Sequence, residues 1–294
     1  LPTVNESQAP APTPQITEGN VGGVEISALR APDPSSVGVL ADADGGFGLD
    51  MWKGSRRATV ERLVRLLPAV NRSATMQSLM QRLLLTSALV PDGPAGTPSL
   101  AHLRIERLAA AGASDALMRL VRVTPAALHD EALSRHVADA HWQLGEDNEG
   151  CARGLRMLRG SDDLYWLMAS ILCHARAGER AQSALALSLW REQVSDNPAF
   201  LALAEAMHGG DGALDALPFP APLELAFWRH LKRSPPLSVV DRAGDKAPGV
   251  LAALALDPGV NIDVRIVAGE RAEALGALST IQLARIYAGV PFTD

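Results

Sequence analysis

In "RATVERLVRLL", Val60, Leu63, Val64 and Leu67 recur at the i, i+3, i+4, i+7 spacing of one apolar helix face, and Pro68 closes the run. The spacing returns in "SATMQSLMQRLLLTSALV", where Met76, Leu79, Met80, Leu83 and Leu84 form the apolar stripe and Ser73 stands where a helix cap belongs. The Pro/Gly-rich stretch "VPDGPAGTP" then breaks the chain, so residues 55–97 read as an N-terminal helical hairpin. Thr97 before Pro98 and Thr124 before Pro125 read as caps followed by a proline in the first turn. Beyond them nearly every apolar run has helical period. The first 54 residues differ. Residues 1–22 are rich in Pro, Thr, Gln and Gly and hold too few large apolar groups to offset ordering entropy, which predicts a flexible Pro-rich tail. Residues 23–54 carry short apolar pieces, "VEISAL", "SSVGVL" and "GGFGLDMW", and read as an extended anchoring segment lying on the helical body through Trp52.

A glycine recurs between helical stretches at Gly112, Gly145 and Gly178, at intervals of 33 and 33 residues. "GGDG" at 209–212 brackets the next position, and Gly244 and Gly276 continue the series. Each time an apolar helix ends in Ala-Gly or Leu-Gly and a second helix soon follows, as in "AAAGASDALMRLV" and "ARAGERAQSALAL". Glycine takes the left-handed conformation that ends a helix at no Cβ cost, so its regular return marks a helix, tight turn, helix unit. With a period close to about 34 residues, the chain from 98 to 294 resembles a tetratricopeptide-like helical repeat protein. The segment "AQSALALSLWREQVSDNP" carries Ala186, Trp190 and Pro198 at that pattern's small, aromatic and proline positions. The resemblance implies an all-α fold of helical hairpins stacked as a right-handed α-solenoid. It also implies a groove, lined by the first helix of each unit, that binds a protein or peptide.

The only two cysteines lie in "EGCARGLRMLRGSDDLYWLMASILCH". Under the repeat phasing Cys151 and Cys173 fall on consecutive antiparallel helices and are each eleven residues from Asp162 in the turn, so they face one another. The same mirror pairs Leu155 with Ala169 and Leu158 with Trp166. Facing thiols at close helix packing form a disulfide in an oxidising compartment. The alternative is two separately buried free thiols in a cytosolic protein. The chain starts at Leu1, which fits either removal of a leader or trimming, and both are compatible with export. A periplasmic or secreted location is the expectation.

Composition narrows the partners. A formal charge of -6 offers no net basic field for phosphate backbones, so nucleic acid is not an expected partner. No apolar run approaches the roughly 20 residues that cross a bilayer, so no membrane insertion is expected. Walker loops, G-x-S-x-G elbows, H-E-x-x-H and paired C-x-x-C motifs are absent, and no cofactor is expected. "ADADGG" at 41–46 has carboxylates and glycines but lacks the later acidic ligand of a calcium loop. "LHDEALSRHVADAHWQ" is the densest titratable cluster, with His129, Asp130, Glu131, His136, Asp139 and His141; it reads as a solvated helix face, or as an acid/base or two-histidine, one-carboxylate site. "FWRHLKR" at 227–233 reads as packing against a neighbouring unit, or as a patch for an anionic partner or membrane surface. Asn5 and Asn71 head sequons that matter only in a eukaryotic secretory setting.

Together these features predict a non-enzymatic scaffold or adaptor of a bacterial cell envelope, disulfide-bonded through Cys151 and Cys173, with no catalytic, cofactor or metal residues. Two other functions fit: an envelope glycan hydrolase with a superhelical helical body and the His129–His141 region as its acid/base cluster, or a structural component of a larger envelope or motility machine. The terminal "YAGVPFTD" follows a helix with no polar capping helix after it, which suggests a further unit or partner there.

Overall fold

The computed structural model describes residues 33–124, 131–193, 197–210, 214, 217–243 and 247–290. The expected tail at 1–22, the first part of the 23–54 segment, Pro125, His129, Asp130 and Gly244 lie outside the described residues. The described chain is all-α, with no strand. Its α-helices are α1 (Arg57–Arg65), α2 (Ala74–Leu85), α3 (Leu100–Ala110), α4 (Ser114–Val123), α5 (Glu131–Leu144), α6 (Asp147–Met157) and α7 (Leu164–Arg176). They continue with α8 (Arg180–Gln193), α9 (Pro198–Met207), α10 (Pro222–His230), α11 (Leu237–Asp241), α12 (Pro248–Leu256), α13 (Ile262–Ala274) and α14 (Thr280–Ala288). None of these helices is long and apolar enough to cross a membrane.

Helix ends follow local chemistry. Ser73 Oγ accepts from the Met76 amide and caps α2. The expected cap at Thr97 is displaced: Ser99 Oγ accepts from the His102 amide and starts α3 one residue after Pro98. A hydroxyl placed directly before the first apolar turn wins over one separated from it by a proline. At the far ends, Gly112, Gly145, Gly178, Gly209 and Gly276 all have φ between 68° and 88°. The next amide then reaches back to a carbonyl of the preceding turn, as in Ala113 to Leu108, Glu146 to His141 and Glu179 to His174. That is the closing hydrogen bond of a left-handed helix stop.

Consecutive helices pack as neighbours from α3 through α8. Farther on the chain returns: α10 packs on α5 and α7, and α12 on α5 and α3. A stack held only by nearest neighbours lacks such contacts. The return is possible because α12 is apolar all round, with every residue from Val250 to Ala255 buried, and such a helix must be covered on all sides. Burying Val250, Leu251 and Leu254 contributes about 1.5–3 kcal/mol each. A middle core is built on aromatic rings, with the Phe200 ring 4.8 Å from Trp190 and 5.2 Å from Phe227. Phe227 and Trp228 are both buried, so the aromatic half of "FWRHLKR" is packing.

The α1 and α2 faces are narrower than their periodicity suggests. Val60, Val64, Met80 and Leu84 are buried, but Leu63 and Met76 are more than half exposed. The buried face of α2 is rotated to bring Gln77 and Leu85 inward instead. Before α1, the chain runs extended beside the end of α2, with the Val39 and Leu40 amides donating to Leu85 O and Ser87 N donating to Leu40 O. Trp52 packs there only partly buried. Two interior arginines hold the segment. Arg57 reaches Asp33 at 2.7 Å, Ser35 and Glu61. Arg104 donates to the carbonyls of Ser35, Val37, Leu84 and Thr86.

Candidate functional site

Where α12 returns to the hairpins, two hollows open on either side of Gln143 and share Ser114, Gln143 and Gly249 in their walls. Ser114 Oγ donates to Gln143 Oε1, which fixes that carboxamide between them.

The smaller hollow, about 360 Å³, collects Glu106 and Arg107 from α3, His136 and Asp139 from α5, and the starts of α10 and α12. Asp139 is its most unusual group. Tyr165 Oη donates to Asp139 Oδ1 at 2.7 Å and accepts from Trp142 Nε1 at 2.9 Å. The Arg135 guanidinium lies over the Tyr165 ring, 4.6 Å from its centre. Burial pushes the Asp139 carboxyl up to about 6, against the pull of the Tyr165 hydrogen bond and Arg135 toward the charged form. Tyr165 is raised well above its usual value by burial and by the neighbouring carboxylate. Burial holds His136 below its ordinary value while Glu106 pulls the other way. The hollow therefore holds a carboxyl pushed up to about 6 and an imidazole held below its ordinary value.

Of the expected titratable cluster, His136 and Asp139 reach this hollow together. His141 does not; its Nδ1 pairs with Glu146 Oε2 at 2.8 Å at the far end of α5. Among the described residues no three His, Cys, Asp or Glu side chains are placed to hold a metal ion. Glu106 and Arg107 had no signal in the sequence, because they come from a helix two elements away; they are joined to each other at 2.7 Å.

The larger hollow is a groove of about 670 Å³. Its walls come from α2, the Gly112 turn and α4, the end of α5, α12, and the turn before α14. Uncharged groups dominate: Gln77, Ser78 and Gln81 on one side, Gln143 in the middle, Ser279, Thr280 and Gln282 on the other, with small residues such as Ala113, Ala116 and Ala252 between. Gln143 and Gln282 are engaged within the fold, Gln282 as acceptor from the Ser279 amide and hydroxyl. Gln77 is buried over Gly276, and neither atom of its carboxamide has a hydrogen-bond partner among the described residues. A buried amide left so costs about 1–3 kcal/mol.

Away from both hollows, the sulfurs of Cys151 and Cys173 lie 2.11 Å apart, at disulfide distance, with Cα atoms 5.4 Å apart. Close approach of α6 and α7 comes from Gly154, where a Cβ would lie 3.1 Å from that of Ala169. Leu155 packs against the core cluster that holds Ala169. Gly154 is the smaller partner, and it permits the distance the sulfurs need. The chain matches no protein-family model, no curated protein and no solved structure.

Proposed function

We propose that the protein is a non-enzymatic scaffold or adaptor of a bacterial cell envelope that holds an extended peptide segment of a partner in the groove between α2, α4 and α14. The observation that carries this reading is the groove's lining: about 670 Å³ walled by carboxamides, hydroxyls and small side chains, with only Asp115, Arg119 and Glu273 charged. A carboxamide both donates and accepts, which matches the peptide unit, and small neighbours let a backbone approach closely. The cysteine pair at disulfide distance supports the oxidising compartment such an exported role needs. The test is peptide display on the intact, natively oxidised protein with Ser78→Trp in parallel. Ser78 is exposed on the groove wall, so the indole fills the groove without disturbing the core. Peptides that bind the wild type and lose at least tenfold on Ser78→Trp support the reading, in line with the cost of steric blockade. Failure to enrich any peptide, or equal binding to both proteins, removes it.

One observation favours a second reading, hydrolysis of an envelope glycan: Asp139, with its carboxyl at about 6, shares a hollow with His136 and Glu106. A carboxyl so shifted serves as a general acid. Turnover of a cell-wall glycan that disappears in Asp139→Asn establishes it, and absence of turnover by the wild type removes it.

A further inference from the structure

We infer that a third hollow, at the end of α10, captures the C-terminal carboxylate of a peptide that ends in an apolar residue. It has about 280 Å³ of space, with Leu225 and Trp228 of α10, Leu254 of α12 and Val260 forming an apolar wall. That is just below the range of typical small-molecule pockets, the scale of one terminal residue and too small to enclose a long acyl chain. Three cations and one carboxylate, Asp257, also line it. Arg229 is already committed, at 2.6 Å to Asp147 and 3.7 Å to Asp257. Lys232 and Arg233 are exposed, and among the described residues neither has an ion-pair partner.

The backbone supplies a second, independent observation. α10 stops in the same way as the helices before Gly112, Gly145, Gly178, Gly209 and Gly276, with Arg233 N donating to Trp228 O and Lys232 N to Arg229 O. At the left-handed position of this stop stands Lys232, with φ of 52°, the one non-glycine residue at positive φ among the described residues. A lysine pays a conformational cost there that glycine does not. Keeping it makes sense if its ammonium is needed at the mouth of the hollow. Lys232 and Arg233 would donate charge-assisted hydrogen bonds to a carboxylate while the apolar wall takes the last side chain. The choice of a peptide as carrier of the carboxylate rests on the peptide-binding reading above; the site itself is separate from the groove.

The experiment titrates the intact protein by calorimetry with N-acetyl-Ala-Ala-Leu as free acid and as C-terminal amide. Binding of the acid with the amide at least tenfold weaker is expected, on the order of one charge-assisted contact. Lys232→Gly should weaken the acid at least tenfold, yet its thermal midpoint should match or exceed the wild type, since glycine suits this φ. Equal binding of acid and amide, no binding of the acid, or unchanged binding by Lys232→Gly overturns the inference. Tighter binding of decanoate than of the peptide acid also overturns it, in favour of an acyl carboxylate. If display peptides still bind the groove while any of these results is obtained, the carboxylate site fails alone.

Discussion

Gly112 and Gly249 meet backbone to backbone: a Cβ on Gly112 would lie 2.4 Å from the Gly249 nitrogen and 2.7 Å from its Cα. This contact seats the start of α12 on the turn between α3 and α4, and both hollows beside it depend on that seat. Gly145 has a similar φ, 72°, but open space where a Cβ would go. Replacing Gly145 by Ala should therefore cost about 1 kcal/mol, the left-handed penalty alone. Gly112→Ala should cost about 3 kcal/mol or more, because overpacking against an immovable backbone is added. Urea unfolding of both variants measures the difference; equal losses would mean that α12 does not press on this turn.

Asp139 makes stability depend on pH in an unusual direction. Its carboxyl titrates at about 6 in the fold against 3.8 for the ordinary value. Between those values the folded state binds more protons than the unfolded one, so this group's contribution is full below about pH 4 and is lost as pH rises toward 6. The loss is about 2–3 kcal/mol. Asp139→Asn keeps an acceptor for Tyr165 Oη and should flatten the pH 4–6 slope while raising stability at pH 7. Thermal unfolding of both proteins across that range checks it, and parallel slopes would count against a buried, shifted carboxyl.

Arg104 is a buried cation whose guanidinium donates to four backbone carbonyls, and burial lowers it to about 10. A planar fork can span four carbonyls from two segments; an ammonium cannot. Arg104→Lys keeps the charge but should lose about 2 kcal/mol or more. Residues 33–40 should also gain faster amide exchange. A loss under about 0.5 kcal/mol, within the usual surface range, would show that other contacts hold the segment.

Joining Cys151 to Cys173 closes a loop with a separation of 22 residues, for which restriction of the unfolded chain is worth about 3 kcal/mol. The double variant Cys151→Ser, Cys173→Ser should lose about that much relative to the oxidised protein. A thiol count on denatured, non-reduced material should give no free thiol in protein purified from the compartment where it acts. Two free thiols in natively exported protein would contradict the envelope assignment.

Local chemistry was readable from the residues, and its limits are physical. The i, i+3, i+4 spacing located the helices, and the recurring glycines located their stops, because both depend on neighbours a few residues apart. Mirror distance from Asp162 placed Cys151 beside Cys173, where the two sulfurs lie at disulfide distance. The return of α12 was not readable, since the contact of Gly112 with Gly249 joins distant turns whose local patterns are ordinary. Nor were Arg57 and Arg104 as interior anchors, because an arginine's partners here are carbonyls and carboxylates brought in by tertiary packing. His136 and Asp139 stood out as titratable, but Glu106 and Arg107 join their hollow only through the packing of α3 on α5. The groove's glutamines carry no motif at all.

The reading of the groove as the partner-binding surface is tested most directly by hydrogen exchange on the intact protein with and without a display-selected peptide. Protection is expected in α2 around Gln77–Gln81, at residues 112–119 and at 276–282, the walls of the groove. Protection confined to the His136 and Asp139 hollow, or to surfaces away from these three stretches, would contradict it.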